Sequence, residues 1–107
     1  MNTIKSLPVT EQCRQARYRQ KSISLILNCE DPIETAVELE QQLFYRGHAA
    51  VIVLPEDART TCPYIEAMGL IAIIAGSNGS IPFGIKINTS NINDILRSLN
   101  EKQLLLP

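Results

Sequence analysis

The chain contains no tryptophan, two phenylalanines, three tyrosines and a single histidine, His48, among its 107 residues. So few rings cannot form a platform on which nucleic-acid bases stack. The net charge of −1 provides no basic field to attract nucleic acid or an anionic membrane. One imidazole favours a structural or surface role for His48 over a histidine metal cluster or a Ser-His-Asp relay. We therefore expect no nucleic-acid partner, no metal and no cofactor.

Cysteines and long hydrophobic runs are also scarce. Cys13, Cys29 and Cys62 are odd in number and lie far apart, so reduced thiols are expected rather than a disulfide framework or a zinc knuckle. No apolar run approaches the roughly 18 residues that a membrane span needs. The first ten residues, MNTIKSLPVT, lack the apolar stretch of a signal peptide. These absences predict a cytoplasmic protein that does not contact a membrane.

What the chain does contain is an alternation of apolar strands and amphipathic helices. Its length suits one domain, in which we predict a polar N-terminal leader over residues 1–21 and a folded domain over residues 22–107. Strands are predicted at residues 22–28, 49–54, 70–75 and 83–87, and the apolar runs within the first three are typical of buried parallel strands. The predicted fold class is therefore α/β, with three α/β/α layers and a small, mostly parallel sheet of four or five strands.

The first long helix begins after the first predicted strand. Asp31 can cap it, Pro32 suits its first turn, and Glu34 stands where a capping box closes. Gly47 is expected to end it. Six apolar residues recur at helical spacing and predict its core face: Ile33, Ala36, Val37, Leu39, Leu43 and Phe44.

The second half of the domain is less regular. Residues 55–63 are predicted to form a loop, followed by a short helical piece at residues 64–68. Ser90 or Asn91 can cap a last helix, whose core face would consist of Ile92, Ile95, Leu96 and Leu99. The turn at residues 76–80 is shorter than an ordinary parallel crossover, so strands three and four could instead form an antiparallel hairpin.

The junction between the first strand and the first helix has the architecture of a phosphate-binding loop without its chemistry. Nucleotide kinases place G-x-x-x-x-G-K-[ST] there, so that backbone amides and a lysine surround the phosphates. The loop at residues 28–31 has the sequence NCED, with two carboxylates and neither glycine nor lysine, and Pro32 removes another amide. These charges favour the free helix end but would repel a triphosphate.

In the order of its segments the chain resembles the adenylylsulfate (APS) kinases, a P-loop kinase family. An arginine-bearing lead-in precedes the first strand, ELEQQLFYRG is similar to the family's A-L-E-x-x-L-F-x-x-G, EAMGLIAI to its A-D-A-G-L-I-V-I, and IKINT to its L-V-L-D-T. Residues 51–54 correspond to the strand that precedes the family's D-G-D-N-x-R motif. The other four segments lie at residues 14–21, 38–47, 66–73 and 85–89.

The resemblance implies a reduced P-loop kinase fold whose catalytic positions have changed. The loop glycines fall on Cys29 and Asp31, on either side of Glu30, the Walker lysine falls on Pro32, and its Ser/Thr partner falls on Ile33. Pro32 cannot supply the missing positive charge, and Ile33 cannot ligate magnesium. This degenerate P-loop implies a pseudoenzyme with no catalytic residue. Its role would be regulation or protein interaction in sulfate activation and assimilation, with sulfate adenylyltransferase or a second copy (a homodimer) as its partner.

Other interpretations stay open from the sequence. Asp57 and Arg59 are what remains of D-G-D-N-x-R, and they are either a remnant ligand site in which Arg59 pairs with phosphate or sulfate, or ordinary loop charges. Cys29 is either a reactive thiol at a helix start or an inert one. The whole domain could also be a sensor that binds an adenine nucleotide or adenylyl sulfate, or a generic α/β interaction module. A working kinase would need a cation that the loop does not supply.

Overall fold

A computed structural model describes residues 23–77 and 81–102 of the chain. Their elements follow the order β1 (Ser24–Leu27), α1 (Pro32–Tyr45), β2 (Ala50–Val53), a 3₁₀ turn (Pro55–Asp57), α2 (Ala58–Ala67), β3 (Ile71–Ile74), β4 (Ile85–Ile87) and α3 (Ile92–Glu101). The leader predicted over residues 1–21, which includes Cys13, lies outside this part of the chain.

The described residues form a four-stranded, all-parallel sheet in the order β2-β3-β1-β4, which confirms the predicted α/β class. In the central strand, β1, every side chain is buried, as its continuous apolar sequence predicts. Leu25 of β1 pairs with Ile73 of β3 on one side and with Ile85 of β4 on the other. The apolar side chains of β1 thus divide between two cores, one on each face of the sheet.

Helices α1 and α3 cover one face of the sheet. Leu25 and Leu27 of β1 pack there against a core that includes Leu39 and Leu43 of α1. All four residues predicted for the core face of the last helix are buried in the same cluster: Ile92, Ile95, Leu96 and Leu99. The prediction for α3 is therefore confirmed, and Asn91 rather than Ser90 caps it.

Helix α2 covers the other face, and here the sequence prediction was wrong. Residues 58–63 were predicted as part of a loop, yet they belong to α2. Pro63 lies inside this helix although proline lacks an N–H and disfavours a helix interior. Ala58, Cys62 and Ile65 recur at i, i+4 and i+7 and are all buried against the sheet. The burial of this stripe outweighs the hydrogen bond that Pro63 cannot make.

Both α1 and α2 end in a Schellman motif. After α1, His48 N–H donates to Leu43 O at 2.9 Å and Gly47 N–H donates to Phe44 O at 3.0 Å. Gly47 has φ +84°, a conformation that glycine adopts without strain. The predicted end of the first helix at Gly47 is thus confirmed, and the motif brings His48, whose ring is buried, to the start of β2.

Strands β3 and β4 are both parallel to β1 and lie on opposite sides of it, so the antiparallel hairpin considered from the sequence is wrong. Residues 75–84 connect them without a helix among the described positions, and Ile81 packs in the same core as α2. Ten extended residues span about 33 Å, enough to cross one strand and return along the sheet.

The core face predicted for the first helix is only partly right. Ala36, Leu39 and Leu43 are buried, together with Thr35. By contrast Ile33, Val37 and Phe44 are exposed by 59%, 46% and 72%. These three residues, called the α1 stripe below, stand at i, i+4 and i+11 and therefore lie along one side of the helix.

Candidate functional site

The chain order creates a switch point between β1 and β3 at the carboxyl edge of the sheet. After β1 the chain passes to the face of α1, whereas after β3 it passes to the opposite face with Ile81. Open α/β sheets bind ligands at the carboxyl ends of two such strands, where the connections diverge. Residues 28–31 and 75–77 form the two sides of this point.

Two proline rings converge at the switch point. A Cβ added to Gly76, which has φ +122°, would lie 3.3 Å from Cγ of Pro55 and 3.8 Å from Cγ of Pro32. Pro32 follows the β1 loop and Pro55 follows β2, so hydrocarbon from two loops lies against the backbone that follows β3. A phosphate at this position would meet apolar rings instead of amides and a cation.

Local hydrogen bonds occupy the polar groups of the β1 loop. Thr35 donates to the carbonyl of Asp31 from its hydroxyl at 2.7 Å and from its amide at 2.9 Å. Cys29 Sγ donates to Thr35 Oγ1 at 3.7 Å. The Glu30 and Asp31 side chains are exposed, and Asp31, although it stands at the N-cap, forms no side-chain cap bond. The predicted cap and capping box are therefore wrong, because Thr35 fixes the start of α1 through the Asp31 backbone.

The sequence also singled out Asp57 and Arg59, which lie at the same edge. Asp57 ends the 3₁₀ turn after β2, and Arg59 stands in the first turn of α2. Both residues are exposed. The Asp57 backbone is held by its N–H donating to Leu54 O at 3.0 Å, and its carbonyl accepts from Thr60 Oγ1 at 3.1 Å. The two charges thus reach the edge of the candidate site from a rigid turn.

A polar cleft that the sequence analysis missed lies at the carboxyl ends of β1 and β4. Asn28 follows β1 and Asn88 follows β4, and Asn28 Nδ2 donates to Asn88 Oδ1 at 3.1 Å. The cleft encloses about 510 Å³ and is lined also by Cys29, Thr89 and Ser90. An Asn directly after each of two predicted strands was visible in the sequence. Only the adjacency of β1 and β4 shows that the two amides meet.

The two described cysteines differ in their surroundings. Cys29 is partly exposed in the β1 loop, whereas Cys62 is buried in the core beneath α2. Burial raises the pKa of the Cys62 thiol, a hydrogen bond with Ser24 opposes this shift, and the charge of Glu66 adds to it. Ser24 in turn donates to Glu66 Oε1 at 2.8 Å. Cys62 is therefore a protonated core residue rather than a nucleophile.

A groove at the other edge of the sheet was also missed. Helix α1 and the start of β2 enclose about 390 Å³ between Phe44, Tyr45, Ala49 and Ala50. The Phe44 and Tyr45 rings meet edge to face at 6.2 Å. Helical periodicity in the sequence assigns Phe44 to the core, which is why the sequence does not predict this surface.

Among residues 23–77 and 81–102, no group of three His, Cys, Asp or Glu side chains could hold a metal ion. Within the same residues, no helix combines the length and the apolar character that crossing a membrane requires. Comparison with known proteins gives no match to a family model, to a curated protein or to a solved structure.

Proposed function

We propose that the chain is a non-catalytic protein-interaction domain on an APS kinase-like scaffold, with a regulatory role linked to sulfate activation. The geometry of the β1 loop supports the loss of phosphoryl transfer. That reaction needs amides and cations around the phosphates. At the corresponding position Pro32 approaches Gly76, and exposed Glu30 and Asp31 supply negative charge.

The observation that carries the interaction role is the exposed α1 stripe. Ile33, Val37 and Phe44 follow one side of a helix whose opposite side is fully used in the core. Tyr45 adds a ring that is 76% exposed next to Phe44. Single exposed apolar residues are common on proteins, but exposed apolar residues that recur along one side of a helix and end in two aromatic rings are typical of a binding surface. Glu40, at i+7, adds a charge between Val37 and Phe44.

Sulfate adenylyltransferase is the partner that the resemblance implies, and the test begins with it. Binding of the full chain to that enzyme is measured by biolayer interferometry for the wild type, for Phe44→Glu and for Tyr64→Glu. Tyr64 is the matched control, because it is 73% exposed on α2, against 72% for Phe44 on α1. Loss of binding in Phe44→Glu alone is expected, whereas equal binding by all three proteins would exclude the α1 stripe as the surface.

Catalysis is tested separately with ATP and APS. We expect no phosphorylation of APS above a blank without protein, and no heat on titrating ATP, APS or its 3′-phosphorylated product at millimolar concentration. Turnover that is abolished by substitutions in residues 28–31 would overturn the proposal.

A second candidate function is a sensor for a small polar ligand, which the cleft between Asn28 and Asn88 favours. Amide, hydroxyl and thiol groups line it at the edge where α/β sheets bind ligands, together with the carboxylate of Glu30, which disfavours the most highly charged anions. Calorimetry distinguishes the two functions: heat from adenylyl sulfate or a nucleotide that disappears in Asn88→Ala would support the sensor.

A further inference from the structure

Strand β2 forms one edge of the sheet and presents backbone groups outward. Ile71 N–H donates to Ala49 O at 3.1 Å and Ala75 N–H donates to Val53 O at 2.9 Å, so alternate residues of β2 point towards β3. The intervening backbone groups, at residues 50, 52 and 54, therefore point away from the sheet. Within residues 23–77 and 81–102, no strand pairs with this edge.

Nothing in the sequence of this edge discourages pairing. Natural proteins protect edge strands with lysine, proline or a bulge. Residues 48–54, HAAVIVL, contain neither a lysine nor a proline, and β2 pairs with β3 in regular register. Such an edge is a template for an additional strand.

The apolar surface beside this edge suits an interface of ordinary size. Phe44 and Tyr45 are 72% and 76% exposed. At about 200 Å² for each ring, they present on the order of 300 Å². A stable interface buries roughly 600–1,000 Å² on each partner. Ile33, Val37, Leu54 and the backbone of β2 are available to supply the remainder.

We propose that a second copy of the chain occupies this surface by pairing its β2 antiparallel to β2 about a two-fold axis. The register with Ile52 opposite Ile52 of the second copy brings all three outward-facing residues into pairs. Ala50 then faces Leu54 of the second copy, and Leu54 faces its Ala50. The inference rests on the proposed interaction role of the α1 stripe and names its partner.

The two edges are complementary in shape as well as in hydrogen bonding. Ala50 and Ile52 pack on the α1 face of the sheet, so alternation places Leu54 on that face too. Leu54 is 45% exposed, and in the dimer it lies beside Ala50, which lines the groove of the second copy. The Leu54 carbonyl already accepts from Asp57 N–H at 3.0 Å. In each pair of Ala50 with Leu54, the Leu54 backbone therefore adds one new hydrogen bond to the dimer, which its N–H donates.

Charge gives this dimer a characteristic dependence on salt. The two-fold axis brings together two α1 helices that each carry Glu34, Glu38 and Glu40 against one cation, Arg46, so that each helix has a net negative charge. Like charges oppose association, and salt screens them. Raising the ionic strength should therefore tighten the dimer, whereas a basic segment bound to the same acidic helix would be released.

Sedimentation velocity of the full chain over a range of concentration and salt tests the association. We expect Phe44→Glu to weaken the dimer by at least about 100-fold, since two rings leave the interface. Tyr64→Glu should stay within about 2-fold of wild type, because Tyr64 lies on α2, on the opposite face of the sheet from the α1 stripe. A wild-type chain that remains monomeric at millimolar concentration would overturn the inference.

Disulfide trapping tests the register. In a background with Cys13→Ser and Cys29→Ser, the double variant Ala50→Cys with Leu54→Cys places each new thiol opposite its partner, with Cα atoms about 5.5 Å apart. Oxidation should give a covalent dimer. Each single variant should stay monomeric, because its two thiols lie several residues apart across the axis. Cross-linking of a single variant would exclude the register.

These outcomes separate the dimer from the proposed function. A monomer whose outward-facing amides at residues 50, 52 and 54 are protected from hydrogen exchange would show that another segment covers the edge, which would overturn the dimer. A monomer that binds sulfate adenylyltransferase through Phe44 would also overturn it, while the interaction role would stand. A dimer that phosphorylates APS would instead refute the non-catalytic function and leave the interface intact.

Discussion

The three described helices each begin at a residue that ordinarily caps, namely Asp31, Asp57 and Asn91, and only Asn91 forms a side-chain cap bond. At α3, Asn91 Oδ1 accepts from Asp94 N–H at 3.1 Å, and Thr89 Oγ1 accepts from Asn91 N–H at 3.1 Å. At α1, Asp31 has φ −117° and ψ 68° and forms no such bond. The alanine variants of Asn91 and Asp31 should therefore differ in stability.

The expected magnitudes follow from what each alanine removes. Asn91→Ala leaves an orphan amide at the helix start and should cost about 1 kcal/mol, within the range of roughly 0.5–2 for lost caps. Asp31→Ala keeps the backbone carbonyl that Thr35 uses, so it removes only an exposed charge near the helix dipole. That change should cost at most about 0.5 kcal/mol.

Urea unfolding followed by circular dichroism measures the change in unfolding free energy of both variants, with one m-value fitted to all proteins. The Asn91→Ala variant should also melt about 4–8 °C below wild type for each kcal/mol lost. Salt provides the control, since a dipole effect at Asp31 weakens with ionic strength whereas a hydrogen-bonded cap does not. Equal costs for the two variants would refute the assignment of the α1 start to Thr35.

Further outcomes are expected in the core. Gly84→Ala should destabilise the fold by about 1–3 kcal/mol in urea unfolding, because Gly84 has φ +93° and a Cβ there would lie 3.1 Å from the carbonyl of Ser24; an unchanged midpoint would exclude this strain. Leu39→Ala should cost roughly 2–5 kcal/mol in the same assay, since the side chain is fully buried; a cost below about 1 kcal/mol would contradict the packing. The raised pKa of Cys62 means that the unfolded thiol ionises first, near pH 8.5. Unfolding free energy should therefore fall as pH rises above about 8.5; a Cys62→Ala variant with the same alkaline slope would exclude this group.

The elements best predicted from the sequence are those whose apolar residues match their burial in the fold. β1 and β3 are buried on both faces, so each is a continuous apolar run, and the α3 residues alternate sharply between apolar and polar. Helix α1 was harder because its apolar residues span an arc wider than the sheet can cover. Periodicity cannot show which part of such an arc faces inward, and the exposed α1 stripe was assigned to the core for that reason.

Helix α2 and the polar cleft could not be predicted for different reasons. The predicted loop over residues 55–63 concealed the buried spacing of Ala58, Cys62 and Ile65, because tertiary packing is absent from the sequence pattern. The cleft depends on β4 lying next to β1, which in turn depends on a short connection from β3 with no helix among its described residues. The loop after β1, by contrast, was located correctly by its position between strand and helix.

The central position of β1 also governs when the fold can form. Its two neighbours pair with it across long separations, from Ser24 to Ala72 and from Leu25 to Ile85. A chain emerging during synthesis has completed β1, α1 and β2 long before either neighbour of β1 exists. Non-local pairing of this kind slows folding, since loop closure must precede the contacts that stabilise it. Until residue 87 has been made, the apolar strand β1 has an open edge, and an unpaired apolar edge of this kind favours aggregation of a partly folded chain.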